Sequence, residues 1–109
     1  LTAQHVNKGY INTYYTFSAK FNGAHHGVKW EDFRKKYMEF GGDGIYAASK
    51  LIHQEPAFYE NNIGYGETPI SEELQRSLMN FTTNQANKYE REVQIDAMQK
   101  TLKYFGDYQ

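Results

Sequence analysis

The chain has no cysteine, which excludes disulfides and thiolate metal sites and leaves its redox compartment unread. No apolar run approaches the 18 or so residues of a membrane-spanning helix. No basic block appears beyond Arg34-Lys35-Lys36, and the formal charge is −1. Neither a nucleic-acid nor an anionic-membrane surface is therefore expected. The start, LTAQHVNKGY, lacks both the charged and the apolar region of a signal peptide, and also an initiator methionine. A chain that begins partway through a longer protein has this appearance, and so does a processed one. G-x-G-x-x-G, a Walker loop, H-E-x-x-H and G-x-S-x-G are all missing. The sequence thus offers no motif for a self-contained active site.

What is present suits one domain spanning residues 1–109, long enough to bury roughly 65% of its unfolded surface. Only 39% of residues are hydrophobic, but 17% are aromatic, so a few bulky rings can fill the core. Residues 1–12 show neither helical nor strand periodicity and read as an extended lead-in. In 13–21, TYYTFSAKF, the residues Tyr15, Phe17, Ala19 and Phe21 alternate with Thr16, Ser18 and Lys20, the pattern of a half-buried strand. His25-His26 follows in a loop with no Asp, Glu or Cys at ligand spacing, so a solvated loop is the expectation rather than a metal site.

Trp30, Phe33, Tyr37 and Phe40 form one stripe of a helix over 30–40. Glu31 and Asp32 suit its N-terminus, Lys29 caps it poorly, and Gly41-Gly42 stops it. Asp43-Gly44 turns the chain into a short apolar strand, Ile45-Tyr46-Ala47-Ala48. That strand empties into a loop carrying Lys50, His53, Gln54 and Glu55 ahead of Pro56. Such loops hold ligand contacts in α/β proteins, although a plain connection looks the same. Thr68-Pro69 opens another helix, with Ile70, Leu74 and Leu78 stacked on one side. Phe81-Thr82-Thr83 reads as a brief strand. Asn80-Phe81-Thr82 matches a glycosylation tripeptide of the kind that arises by chance.

The longest helix runs from Ala86 to Phe105, with Ile95, Met98, Leu102 and Phe105 on one side and Tyr89, Val93 and Ala97 on another. Two apolar sides fit either a partner surface or burial in a thick core. Glu72-Glu73 and Glu90/Glu92 read as solvated carboxylates. The sum is a small α/β sandwich of about three strands, helices packed on the sheet, and a long C-terminal helix.

In order, YYTFSAKF, WEDFRKKYMEFGGDGI, LIHQEPAF, GYGETPISEEL and the long terminal helix resemble the C-terminal small domain of DegT/DnrJ/StrS-type sugar aminotransferases. Those enzymes use pyridoxal phosphate (PLP) to place an amino group on a nucleotide-linked ketosugar. The resemblance spans nearly the whole chain. Gly44-Ile45 corresponds to the family's Gly-Ile, and His53 to the histidine of its P-L-H-x-Q-P loop. Pro56-Ala57-Phe58 matches the end of that loop, and Pro69 and Glu72 match its P-x-x-E helix start. Lys50 falls where some members carry a basic residue. Leu51 stands in place of the loop proline, Glu55 in place of the glutamine, and the run from Ile45 to Lys50 is shorter than usual.

The resemblance implies that His53 and Lys50 contact the nucleotide-sugar substrate, and that this chain holds no catalytic, cofactor-binding or metal-binding residue. PLP would be held by the parent protein's large domain, which is not among these residues. The parent would be a cytoplasmic homodimer that takes its nitrogen from an amino donor such as glutamate. The competing reading is a stand-alone, non-catalytic α/β binding or interaction module whose tyrosines serve a protein partner.

Overall fold

Alternating β-branched, aromatic and small residues favour a pleated strand with one buried face. The computed structural model carries that strand at Thr16–Lys20 (β2). The structure describes residues 1–46, 50–64, 66–75 and 77–106, with only the backbone of Tyr46. Three more strands join β2: Thr2–Ala3 (β1), Ile45–Tyr46 (β3) and Leu78–Thr82 (β4). The sheet is antiparallel throughout, in the order β1-β2-β4-β3. The last strand in sequence is thus a central one, with Phe81 opposite both Phe17 and Ile45 and with Met79 opposite Ala19. Phe17 and Ile45 are neighbours only across Phe81. The lead-in is not wholly irregular, since β1 pairs with β2 at Thr2–Lys20 and Ala3–Ala19.

Helix Trp30–Glu39 (α1) crosses from β2 to β3, and β4 is inserted between those two strands. This is a split β-α-β unit. Phe33 and Tyr37 are buried, with Trp30 and Phe40 packed beside them, as the aromatic stripe requires. The glycine stop forms a Schellman cap: Gly42 N–H donates to the Tyr37 carbonyl (2.9 Å) and Gly41 N–H to that of Met38 (3.0 Å). Gly41 takes the left-handed φ of 93° that this cap needs. The Arg34 guanidinium donates to the Ile45 carbonyl at 3.1 Å, tying the outer strand to the helix.

Helix Lys88–Tyr104 (α4) lies against α1. Asn87 caps it, its side chain accepting from Glu90 N–H at 3.0 Å, while the Glu90 carboxylate accepts from Ala86 N–H at 2.8 Å. Met98, Leu102 and Phe105 pack on the core, but the fully buried line is Ala97 and Thr101. Two small side chains let the helix approach its neighbours closely. The Thr101 hydroxyl stays satisfied in that dry position by donating to the Ala97 carbonyl at 2.7 Å. Ile95 and Tyr89 are exposed, so α4 has one core face and an uncovered apolar flank.

Between β3 and β4 stand two short helices, Pro56–Tyr59 (α2) and Pro69–Gln75 (α3). The stripe Ile70, Leu74 and Leu78 does not form one buried helix face. Ile70 and Leu74 are exposed, and Leu78 belongs to β4. The expected brief strand over 81–83 is really the end of β4, whose backbone pairing with β2 outweighs the local helical spacing. Asn80 sits in that central strand and accepts from the Ser18 hydroxyl at 2.7 Å, a poor setting for a glycan acceptor. Ala47 and Ala48, read as part of the second strand, lie outside the described residues.

Candidate functional site

The loop singled out by its Lys50, His53 and Pro56 is built by local hydrogen bonding. Leu51 N–H donates to Gln54 Oε1 at 2.9 Å, shaping a single 3-10 turn over Ile52–Gln54. Pro56 then starts α2, where its missing N–H costs nothing. The turn faces α3 through polar groups. Gln54 and Gln75 exchange two amide hydrogen bonds, at 3.1 and 2.8 Å.

His53 lies between the turn and α3, and is 8% exposed. Its Nε2 is 3.3 Å from Glu72 Oε1, and its Nδ1 is 3.5 Å from the Thr68 hydroxyl. One tautomer satisfies both contacts: Nε2–H donates to the carboxylate and Nδ1 accepts from the hydroxyl. Glu72 Oε1 also accepts from Gly66 N–H at 3.3 Å. The imidazole therefore bridges a hydroxyl and a carboxylate, a set of groups able to hold or pass one proton.

The structure thus joins His53 to Glu72, two residues that the sequence presents in separate motifs. Glu72 is not a solvated carboxylate as its helical spacing suggests. It is half-buried and engaged by the histidine. The only sequence signal for the pairing was the placement of Glu72 in the first turn of its helix. Lys50 is exposed and reaches outward to Glu55, 3.9 Å away. Histidine and lysine consequently present different faces, one packed and one in solvent.

Elsewhere, His25 and His26 are exposed in a 3-10 turn over Gly23–His26. Among the described residues no three metal-ligating side chains come together. Glu90 is used in capping α4, and Glu92 lies 3.5 Å from Lys88. An open apolar groove of about 500 Å³ runs between the β1–β2 side of the sheet and α4, floored by Phe17 and Ala19 and walled by Ile95 and Met98. Its apolar residues are spread over five sequence segments, so only the folded chain reveals it.

A lysine that carries PLP needs a secluded, desolvated pocket. None of the lysines is buried. The most sheltered, Lys36, is bonded to Glu39 and lies 4.4 Å from the Tyr104 ring centroid. These lysines do not fit the role. Comparison of the chain with protein-family models, with curated proteins and with solved structures finds no match.

Proposed function

We propose that this chain is the C-terminal small domain of a cytoplasmic PLP-dependent aminotransferase of the DegT/DnrJ/StrS type, acting on a nucleotide-linked ketosugar. The observation that carries the reading is the order of its motifs: the paired-aromatic strand, the helix ending in Gly-Gly-Asp-Gly-Ile, the His53–Pro56 loop, and the Pro69–Glu72 helix start. PLP, when bound, supplies the electron sink for nitrogen transfer, and in this reading it is held by residues outside this chain.

The chain's own part is to wall the sugar-nucleotide site. Lys50, exposed beside the His53 turn, offers a charge that a diphosphate would attract, whereas His53 would offer a hydrogen bond only on exchanging Glu72 or Thr68 for the substrate. Packing on a larger domain would cover apolar side chains that stand in solvent here, such as Tyr59 and Ile70, which are 65% and 73% exposed. The parent would act as a homodimer, with glutamate as a fitting amino donor.

The same exposed residues favour a second reading, a non-catalytic module that docks on a protein partner. The coding sequence upstream of Leu1 separates the two. If it encodes a large α/β domain, the full polypeptide should show a saturable PLP absorbance band and consume glutamate when given a nucleotide-linked ketosugar. A start codon immediately before Leu1, or a full polypeptide that leaves both PLP and ketosugar untouched, sinks the first reading.

A further inference from the structure

The segment 50–75 is inverted relative to an ordinary fold. Among its described residues His53 alone is buried, while Ile52, Tyr59, Ile63 and Ile70 are each more than half exposed. Its interior is polar, made of His53 with Glu72 and Thr68, and of the Gln54–Gln75 amide pair. None of its described residues belongs to the hydrophobic cluster formed by β2, β3, β4, α1 and α4. Its helix α2 packs on the Ile52–Gln54 turn. The described backbone hydrogen bonds from Gln54 N–H to Leu51 through Glu72 N–H to Thr68 also close within it, and the tie that leaves it is at its C-terminal junction, where Leu74 accepts from Ser77 N–H at 2.9 Å.

A segment whose described residues share neither apolar core nor strand ladder with its neighbour has little to make it open together with that neighbour. Cooperative units in proteins follow shared burial, and those with few buried apolar contacts open first. We propose that residues 50–64 and 66–75 form a separate lobe that opens and closes as one unit on an intact sheet–helix body, and that the His53–Glu72 contact is its latch. Opening unpacks α3 from the Ile52–Gln54 turn and brings the His53 imidazole into solvent. Gly64, at a φ of 77°, passes directly over the latch, and a Cβ there would lie 3.1 Å from that of His53. The inference rests on packing within this chain and holds whether or not the parent is an aminotransferase.

Native-state hydrogen exchange on the 109-residue chain tests it, with His53→Ala and Gly64→Ala as variants. In the unmodified chain the amides of Gln54, Phe58, Tyr59, Glu60 and Glu72 should exchange as a group, about a hundredfold or more faster than those of β4 and α4. His53→Ala should speed the lobe amides by about a further tenfold, the loss of one hydrogen bond to a charged group, and leave β2, β4 and α4 unchanged. Gly64→Ala should give the same pattern while leaving the imidazole in the chain. Lobe amides as slow as those of β4 in the unmodified chain would overturn the proposal. So would equal acceleration across lobe and body, no acceleration of the lobe by either variant, or failure of His53→Ala to fold.

Discussion

Tyr37 shows how much one side chain carries in a core this small. It is buried on α1, meets Phe81 edge-on, and donates its hydroxyl to Gln94 Oε1 at 2.6 Å, so it links α1, β4 and α4. Burial, assisted by the nearby Asp43 carboxylate, pushes its phenol up to about 12. The unfolded chain releases that proton near pH 10, whereas the folded chain keeps it. Stability from this group is therefore complete below pH 10 and is lost as pH rises toward 12. Denaturation midpoints measured from pH 8 to 11.5 should fall more steeply at the alkaline end than those of Tyr37→Phe. Parallel profiles would remove the phenol from the account. The same ring explains Gly42, where an added Cβ would stand 2.4 Å from Tyr37 ring atoms. Gly42→Ala should cost about 1–3 kcal/mol, the usual range for overpacking, and urea titration would show it. A helix-stopping role for glycine was legible in the sequence. The need for bare backbone beneath a tyrosine was not, because that contact exists only once the helix end folds back.

Elements were legible where their local pattern and their tertiary role agreed. The aromatic stripe of α1 places the right residues in the core, and the alternation of β2 does so at Ala19 and Phe21, but Tyr15, on the same expected face, precedes the strand and is exposed, because Tyr14 takes a left-handed φ of 48°. Thr68-Pro69 does open a helix, but from Leu74 to Thr83 the two levels disagree. Ile70, Leu74 and Leu78 have helical spacing, yet α3 ends at Gln75 and Leu78 enters β4. What decides the matter is long-range: β4 fills the gap between β2 and β3, pairing with β2 along its whole length and with β3 at Phe81 and Asn80. Nothing between Ser77 and Phe81 announces a partner so far back in the chain. The candidate site repeats the lesson, since a loop histidine and a helix glutamate meet only when the lobe forms. Truncations should follow the structure and not the spacing. Met79→Ala, at a fully buried site in β4, should cost about 2–5 kcal/mol. Ile70→Ala should stay within about 0.5 kcal/mol. Chemical denaturation of both variants checks the pair, and the reverse order would place the apolar face of α3 in the core after all.

At the scale of the molecule, the surface is too large for the mass. A compact monomer of 12.7 kDa exposes about 6,200 Å², but this chain exposes 8466 Å². Its radius of gyration is 16.1 Å, against about 13 Å for a compact domain of this length. The unfolded chain would expose about 18,000 Å², so folding buries about 54% of it and not the 65% that length alone suggests. The shortfall traces to the N-terminal segment, where Tyr10, Ile11 and Tyr15 stand in solvent, to the inverted lobe and to the uncovered groove beside α4. Because the urea m-value scales with the area exposed on unfolding, it should be about four-fifths of that of a compact 109-residue domain. Trp30 lies on α1 against the core, so its fluorescence follows the body, while far-UV circular dichroism also senses α2 and α3. Both probes should report a low m for a dilute monomer, with part of the dichroism change preceding the fluorescence change as the lobe opens first. An m-value ordinary for the chain length in a sample that sedimentation shows to be monomeric would mean that the exposed apolar faces fold inward in solution. The same value appearing only as an oligomer forms would mean that those faces bury one another, as a domain made to pack against something larger would do.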